Sequence, residues 1–511
     1  MQKKISFTFD GKKYYGLEGD TLASALIRNN VFLVGRSFKY HRPRGIISAG
    51  SEEPNAIIQL EIGKFTEPNV RATEIEIYEG LIANSQNNWP SLKFDFGSIN
   101  DFLSPFFPAG FYYKTFMWPS KFWKKYEYFI RRAAGLGKSP TQDDPDNYEH
   151  FHYHCDILVV GGGISGLIAT LLAASANLKV LLIEQQTKLG GESNLIGNVS
   201  NDSSDIQKIL YEIKKFDNVK IVKNTCVFAY MHSNYLLANQ KLNDSKTRQI
   251  IWKIRAKKVI LATGSIERFL TFNNNDRPGI MLANSARKYL NFYGIKPGKK
   301  IILFTNNDYA YQSAIDFKKA NIDVKGIVDV RANSKGDLID EAKKLGIKIY
   351  FKHVIANTLG RKKIRSVDIC EIDNESNKII GKPLRLSCDL LCVSGGWTPS
   401  VHLFSQSKGK LIYRESDAVF IPSKSFENQI SIGACNGIFN YNDIVDDTFK
   451  KISRLLYDFN KKNKKYDDII SDSKKIFYDK IKHLWVSPSN KYFGKTKMFV
   501  DFQNDVTAKD I

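Results

Sequence analysis

Cysteine is scarce in this sequence, and none occurs before residue 155. Most of the cysteines lie in apolar, strand-like runs, which is typical of free thiols in a reducing cytosol. No cysteine lies between Cys155 and Cys226, where a disulfide reductase would carry its redox pair. Cys388 and Cys392 lack a second pair of ligands. The sequence therefore predicts neither dithiol redox chemistry nor a metal site.

Long apolar runs are also lacking. No stretch approaches the roughly 18–20 residues that a bilayer-spanning helix needs. The first ten residues lack the apolar centre of a signal peptide. We therefore expect a cytoplasmic protein without a membrane partner.

Acidic residues are fewer than basic ones: the sequence has 53 Asp and Glu and 75 Lys and Arg, which gives a formal charge of +22. Such a balance can indicate a nucleic-acid or acidic-membrane partner. Here the lysines are scattered among acids, and no arginine-rich arm or zinc-finger spacing occurs. Nucleic-acid binding is therefore not expected.

Glycine is present where a nucleotide-binding turn needs it. An apolar strand leads into Gly161, Gly163 and Gly166. A helix-like Ala/Leu run follows, and a second strand ends at Glu184. The glycines permit a tight turn, a close approach of main-chain amides to a pyrophosphate, and close packing of the helix on the strand. A carboxylate at Glu184 accepts hydrogen bonds from ribose hydroxyls and repels a 2′-phosphate, so the pattern predicts a dinucleotide other than NADP.

A later motif bears on which dinucleotide binds. In flavoproteins with two dinucleotide-binding domains, a final Gly-Asp pair contacts the flavin, whereas Gly433 is followed here by Ala434. The missing acid favours NAD over FAD at the first site, although it does not exclude FAD.

The order of strand-like and helix-like segments predicts an α/β fold. It has two dinucleotide-binding, Rossmann-like domains of the flavoprotein type, preceded by a ferredoxin-like β-grasp domain. The second α/β unit repeats the strand, turn and helix, but its turn at residues 305–310 has no glycine, so we assign it no tight dinucleotide site. The predicted boundaries are 1–88 for the β-grasp domain, 89–150 for an aromatic-rich irregular segment and linker, 151–272 with 384–450 for the NAD-binding domain, 273–383 for the inserted α/β domain, and 451–511 for a C-terminal helix and linker.

The β-grasp domain is predicted from a hairpin, a short helix and two returning strands, at residues 3–17, 22–29, 55–62 and 73–78. In ferredoxins of this kind the loop after the helix carries the cluster-binding cysteines. Because no cysteine precedes Cys155, we expect no iron–sulfur cluster.

Three segments leave two interpretations open. His41, Arg42 and Arg44 form either a site for an anion such as a flavin phosphate or an ordinary basic loop. The aromatics of residues 89–132 form either an irregular wrapping segment or a surface for another subunit. The alternating histidines at 150, 152 and 154 favour a solvated strand over a metal site.

Several longer motifs are similar to one family. They are Glu18-Gly-Asp-Thr-Leu-Ala, His41-Arg-Pro-Arg-Gly, Ser85-Gln-Asn-Asn-Trp-Pro-Ser, Asp276-Arg-Pro-Gly-Ile-Met, the glycine-less turn Thr305-Asn-Asn-Asp-Tyr-Ala, and Phe499-Val-Asp-Phe-Gln-Asn-Asp-Val-Thr-Ala-Lys-Asp. Together they resemble the α subunit of heterotetrameric sarcosine oxidase, over nearly the whole chain.

The resemblance implies an oxidoreductase acting on CH–NH donors, with little activity in this chain alone. It implies NAD in the first nucleotide domain, FAD in a β subunit that oxidises sarcosine, FMN shared between α and β, and small γ and δ subunits, of which δ carries zinc. The products would be glycine, hydrogen peroxide, and formaldehyde or 5,10-methylenetetrahydrofolate. No catalytic residue is implied in this chain; the implied cofactor-binding residues are Gly161, Gly162, Gly163, Ser165, Gly166, Glu184, Gly191, Thr263, Gly264 and Gly433.

The sequence departs from that family where a folate-binding aminomethyltransferase domain should begin, so we expect no folate binding by the chain as given. Three other functions stay open: a self-sufficient FAD enzyme that oxidises NADH, an α subunit of a dye-linked proline, opine or amine dehydrogenase, and a non-enzymatic nucleotide-binding scaffold.

Overall fold

The computed structural model describes residues 3–104, 118–133, 135–195, 202–242, 247–373, 375–461, 476–488 and 496–511. The part of the predicted aromatic segment from residue 105 to 117 lies outside the described residues.

The helices are α1 (Leu22–Arg28), α2 (Ile99–Phe102), α3 (Trp123–Ala133), α4 (Ile164–Ser175), α5 (Asp202–Ile213), α6 (Ala283–Asn291), α7 (Tyr309–Lys319), α8 (Asp337–Lys344), α9 (His402–Gln406) and α10 (Tyr441–Asp458). The strands of the first half are β1 (Lys4–Phe9), β2 (Lys12–Leu17), β3 (Gly35–Arg36), β4 (Pro43–Arg44), β5 (Ile57–Leu60), β6 (Glu67–Arg71), β7 (Leu81–Ser85), β8 (Asn147–Val160), β9 (Val180–Ile183), β10 (Val219–Val222), β11 (Thr225–Met231), β12 (Tyr235–Lys241) and β13 (Thr247–Leu261). Those of the second half are β14 (Ser265–Glu267), β15 (Ile280–Leu282), β16 (Lys300–Thr305), β17 (Asp323–Asp329), β18 (Ile349–Phe351), β19 (His353–Gly360), β20 (Ile364–Ile372), β21 (Ile379–Ser387), β22 (Leu390–Ser394), β23 (Trp397–Pro399), β24 (Lys410–Arg414), β25 (Val419–Lys424), β26 (Gln429–Ser431), β27 (Phe499–Asp501) and β28 (Val506–Thr507).

The chain divides into two compact units. The first consists of Met1–Pro145, Arg268–Gly396 and Ile481–Ile511, and the second of Asp146–Glu267 and Trp397–Lys480. Within the described part of the chain, none of the helices is long and apolar enough to cross a bilayer.

The N-terminal part of the first unit is a mixed five-stranded sheet in the order β2-β1-β7-β5-β6, with α1 packed on it. The Thr21 hydroxyl accepts a hydrogen bond from the Ser24 amide at 3.2 Å and caps α1. The predicted strand at residues 73–78 is wrong. Its main chain instead bonds the start of α1, because Leu22 donates to the Ile75 carbonyl at 2.8 Å and Ile77 donates to the Asp20 carbonyl at 3.0 Å.

The same unit contains an inserted α/β part. Its parallel sheet has the order β15-β22-β16-β17-β18, and β19, β20 and β21 form a separate antiparallel sheet. Helix α3 also belongs to this unit. Because we expected an irregular segment there, the regular helix at Trp123–Ala133 corrects that prediction.

The second unit is built on a sheet in the order β10-β9-β8-β13-β12-β11, with β26 beside the end of β13. Strands β10, β9, β8, β13 and β26 are parallel, whereas β11, β12 and β13 form an antiparallel meander. Helix α4 is apolar on almost every side and is buried between this sheet, α5 and α10, as an all-round hydrophobic helix must be. The parallel strands all direct their carboxyl ends to the same edge of the sheet.

A buried ionic cluster joins distant segments of the first unit. Arg42 donates to both carboxylate oxygens of Asp276 at 2.6 and 2.8 Å, and Arg44 pairs with Asp276 at 3.2 Å and with Asp505. Asp505 also accepts hydrogen bonds from the amides of Lys39 and Tyr40. The two arginines are therefore engaged by carboxylates of their own chain, which favours a structural role for this basic loop over a flavin phosphate site.

The first testable prediction concerns acid stability. Burial alone would raise the pKa of Asp276, but the charges of Arg42 and Arg44 lower it to about 2. A depressed carboxyl pKa contributes stability that is present above the unfolded-state value of about 3.9 and is lost as the pH falls towards 2. We expect Asp276→Asn to destabilise the protein by about 3–5 kcal/mol at neutral pH, because it removes the buried carboxylate that Arg42 and Arg44 share.

The difference in the free energy of unfolding between the wild type and Asp276→Asn should decrease by about 1 kcal/mol from pH 5 to pH 3. At the lower pH the ionised Asp276 carboxylate contributes less to the stability of the wild type. Urea unfolding at both pH values measures it. The matched control is Asp323→Asn, which removes an exposed carboxylate that pairs with Lys325. If the difference in the free energy of unfolding stayed constant with pH, Asp276 would not have the lowered pKa on which the prediction rests.

Candidate dinucleotide-binding site

The ten residues expected to bind the cofactor lie in the second unit, around the carboxyl ends of β8, β9, β13 and β26. The carboxyl edge of a parallel sheet is where α/β proteins bind nucleotides. The turn after β8 contains Gly161, Gly162 and Gly163, and α4 begins at Ile164. Further contacts bring the other seven residues towards this turn.

Two glycines let the backbone fold closely on itself. Gly161 has φ +105°, and a Cβ there would lie 2.3 Å from the Ala262 carbonyl oxygen. A Cβ on Gly166 would lie 1.8 Å from the Gly161 carbonyl oxygen. Any larger residue at either position would therefore push α4 or β13 away from the turn.

The opposite side of the turn is open. An added Cβ on Gly163 would meet no atom within 4 Å, and no side chain caps the amino end of α4. Uncapped amides at the positive end of a helix form a favourable position for a phosphate group. Gly191 borders this space, since a Cβ there would lie 3.1 Å from the Gly163 Cα atom.

Glu184 is held at the end of β9 by main-chain amides. Its Oε2 atom accepts from the Gly162 amide at 2.6 Å, and its Oε1 atom accepts from the Gln186 amide at 2.8 Å. The residue is buried, with 9 % of its surface exposed. These two bonds orient the carboxylate beside the glycine-rich turn.

The remaining residues form the far side of the site. The Thr263 hydroxyl donates to the Ser400 carbonyl at 2.8 Å, and Gly264, with φ +70°, has no atom within 4 Å of an added Cβ. A Cβ on Gly433 would lie 2.2 Å from the Ser165 hydroxyl oxygen, so β26 and α4 meet closely.

Sequence reasoning missed Gly190 as part of the site. Its amide donates to the Gly162 carbonyl at 2.8 Å, and it forms a parallel bridge with Gly163. Gly190 and Gly191 have φ values of +114° and +54°, which side-chain-bearing residues adopt with strain. The glycine doublet was therefore the sequence signal that could have identified Gly190.

Cys435 lies in the short 3-10 turn that follows β26. Its thiol donates to the carbonyls of Leu261 and Ile432 at 3.1 and 3.2 Å. Burial raises the pKa of this thiol, despite hydrogen bonds from Thr263 that favour the thiolate. Cys435 is therefore a buried neutral thiol and not an activated nucleophile.

The corresponding turn of the inserted α/β part is filled by its own side chains. Arg331 lies 2.7 Å from carboxylate oxygens of both Asp308, in the turn, and Asp329, at the end of β17. Burial alone would lower the pKa of Arg331, but its bonds to Asp329 and the charge of Asp308 raise it above its ordinary value. A carboxylate in the turn repels a pyrophosphate, which supports the expectation that this turn holds no dinucleotide.

A segment of the same unit also covers that turn. The Lys482 amide donates to the Asn306 carbonyl at 3.0 Å, and the Asn306 side-chain amide donates to the Lys482 carbonyl at the same distance. Asn307 donates to the Ser394 carbonyl at 3.1 Å. The main chain that would approach a phosphate is thus already hydrogen-bonded within the protein.

Comparison with known proteins defines the class. Residues 155–421 match the family model described as pyridine nucleotide-disulphide oxidoreductase. The chain belongs to this family of oxidoreductases, and its Rossmann-like α/β fold agrees with the sequence prediction. A solved structure of L-proline dehydrogenase from P. horikoshii has a similar fold, with a TM-score of 0.58 at 19% identity over 91% of this chain and 75% of that chain.

The more particular resemblance predicted from the sequence is confirmed. The chain is 38% identical to sarcosine oxidase subunit alpha of Rhizobium meliloti (strain 1021) over 524 residues, which cover 99% of this chain and 51% of that protein. It is 32% identical to sarcosine oxidase subunit alpha of Corynebacterium sp. (strain U-96), over 85% of this chain and 42% of that protein. The chain therefore spans about half the length of these relatives.

The comparisons also correct the predicted cofactor set. Residues 2–88 match the 2Fe-2S iron-sulfur cluster binding domain, which overturns the expectation of a protein without an iron–sulfur cluster. The prediction was wrong because it judged the domain by its cysteines alone. Residues 2–88 contain no cysteine, so they do not supply the thiolate ligands that such clusters ordinarily take.

The second testable prediction separates binding from folding at the turn. Gly163→Ala should change the free energy of unfolding by less than about 1 kcal/mol, because the added methyl group meets open space. The same methyl group projects where a pyrophosphate would lie, so we expect the affinity for NAD to fall by about tenfold or more. Calorimetric titration with NAD and urea unfolding measure the two effects.

Gly166→Ala is the matched comparison, because its methyl group would overlap the Gly161 carbonyl. We expect it to lose about 1–3 kcal/mol of stability as well as affinity. A folded Gly163→Ala variant that binds NAD as tightly as the wild type would exclude the turn as the phosphate site.

Proposed function

We propose that this chain is the NAD-binding portion of an α subunit in a sarcosine oxidase complex. The observation that carries the proposal is the open turn before α4, where uncapped amides and the oriented Glu184 carboxylate border one space. The identity to sarcosine oxidase subunit alpha over 99% of the chain supports the choice of complex.

The negative charge of Glu184 favours NAD over NADP, and the residues that follow β26 favour NAD over FAD. The buried Glu184 carboxylate would repel the 2′-phosphate of NADP. After β26, Gly433 is followed by Ala434 and by the neutral thiol of Cys435, so no acid is offered to a flavin's ribityl chain. FAD is the second candidate, because Glu184 and the turn would fit its adenosine half equally well.

The proposed reaction is the oxidative demethylation of sarcosine to glycine. Its other products would be hydrogen peroxide and either formaldehyde or 5,10-methylenetetrahydrofolate. Among the described residues at the site, the buried Cys435 is protonated and Thr263 is engaged with Ser400, so neither provides an activated nucleophile. In line with the similarity to sarcosine oxidase subunit alpha, we assign the oxidation of the amine to a partner β subunit.

The third prediction tests the role of Glu184. Glu184→Gln keeps the size of the side chain but removes the charge that ribose hydroxyls and the Gly162 amide bind. We expect NAD affinity to fall by about 10- to 100-fold, because hydrogen bonds to charged groups contribute about 1.5–3 kcal/mol. The preference for NAD over NADP should shrink at the same time, since the repulsion of the 2′-phosphate is lost.

Titrations with NAD, NADP and FAD under identical conditions measure these changes. Glu212→Gln on α5 is the control, because it removes a carboxylate that pairs with the nearby Lys215. Binding of FAD but not NAD by the wild type would replace NAD with the second candidate. If Glu184→Gln bound NAD, NADP and FAD as the wild type does, Glu184 would not contact the dinucleotide.

The fourth prediction tests the division of labour. The purified chain with sarcosine and oxygen should form no hydrogen peroxide above background, because we assign the amine-oxidising site to the β subunit. Co-expression with the β subunit of a related sarcosine oxidase should produce a complex that forms peroxide. A peroxidase-coupled assay measures both, and peroxide formation by the chain alone would contradict the assignment.

A further inference from the structure

One edge of the second unit's sheet is open along β8. The whole of β8 pairs with β13, but β9 pairs only with residues 157–160 of β8. Among the described residues, no strand pairs with the other side of the segment from Glu149 to His154. Alternate main-chain N–H and C=O groups along this segment therefore face away from the sheet.

The open segment lacks the usual protections of an edge strand. Natural proteins blunt such edges with lysine, proline, a bulge or a covering element, because exposed edges pair with other chains. Residues 149–154 read Glu-His-Phe-His-Tyr-His, without lysine or proline. Their register with β13 is continuous, and Phe151 is 42 % exposed.

The surroundings of this edge are positively charged. The ammonium groups of Lys179 and Lys220 lie 4.6 and 5.4 Å from the ring centre of Tyr153. On the opposite face, Lys253 is in register with His152. Of the nearby carboxylates, Asp156 forms an ion pair with Lys257 at 2.7 Å, and Glu149 accepts a hydrogen bond from the Thr247 hydroxyl at 2.7 Å.

We propose that this edge, residues 149–154, binds an extended acidic segment of a partner protein by strand addition. The main chain of the partner would supply the missing hydrogen bonds, as in other complexes formed by β-augmentation. Acidic side chains at alternate positions would lie on the face of Tyr153, where Lys179 and Lys220 are. The apolar side chains between them would lie on the opposite face, beside the three histidines.

The charge pattern favours such a partner over a second copy of this chain. Two copies joined at this edge would bring Lys179 and Lys220 of one towards those of the other, and like charges on neighbouring strands are destabilising. An acidic strand meets the same groups with complementary charge, which raises both the association rate and the specificity. The inference is independent of which dinucleotide binds at the other end of β8.

The test uses the full chain and a synthetic ten-residue peptide in which Glu alternates with Val or Thr. A second peptide with Lys in place of Glu is the charge control. Hydrogen–deuterium exchange should show protection of amides in residues 149–154 by the acidic peptide and none by the basic one. The double variant Lys179→Glu/Lys220→Glu should weaken binding of the acidic peptide about tenfold.

Both lysines are exposed, so this double variant should keep the fold. The variant Lys362→Glu/Lys382→Glu changes the net charge equally at exposed positions of the other unit and should bind the acidic peptide like the wild type. Absence of binding, equal protection by both peptides, or protection confined to other segments would each overturn the proposal. Concentration-dependent protection of residues 149–154 without peptide would show that a second copy of the chain occupies the edge and would also overturn it.

Discussion

The candidate site depends on the close approach of α4 to the turn that precedes it. At Gly166 the helix lies so near the Gly161 carbonyl that a single methyl group would not fit. This contact directs the amino end of α4 towards the carboxyl edge of the sheet and leaves Gly163 on the open side. Glu184 then fixes the turn from the neighbouring strand through the Gly162 amide. Because both constraints act on consecutive residues, the position of any bound diphosphate is set by the backbone.

The two α/β parts show how the same topology can be open or closed to a nucleotide. Both have a strand, a turn and a helix on a parallel sheet. In the second unit the turn is glycine-rich and uncapped, whereas in the inserted part Asp308 binds Arg331 and Asn306 binds Lys482. The difference lies in charge and in hydrogen bonds already made within the protein. Fold alone therefore does not identify a binding site, which has to be argued from its side chains.

The sequence predictions were accurate for features set by neighbouring residues and failed for contacts between residues far apart in the sequence. The glycine turn and Glu184 were accessible because their pattern is local and its spacing is set by one strand and one helix. The ionic cluster was not, because Arg44 and Asp505 are far apart in the sequence and no periodicity links them. The segment 73–78 was mistaken for a strand because its residues alternate like those of a strand, whereas its main chain hydrogen-bonds to the residues at the start of α1. Whether the ten predicted residues bind a dinucleotide is still a prediction.

The N-terminal domain shows the same distinction between scaffold and site. Its sheet and helix match a domain family described by a 2Fe-2S cluster, yet the loop after α1 uses its polar groups to bind the protein itself. Arg42 and Arg44 would be costly to bury without Asp276 and Asp505, and these carboxylates come from segments far along the chain. The loop thus became a point of attachment within the first unit. Because the charged groups of this loop form ion pairs within the protein, a substitution in the loop changes stability before it changes any chemistry that the domain supports.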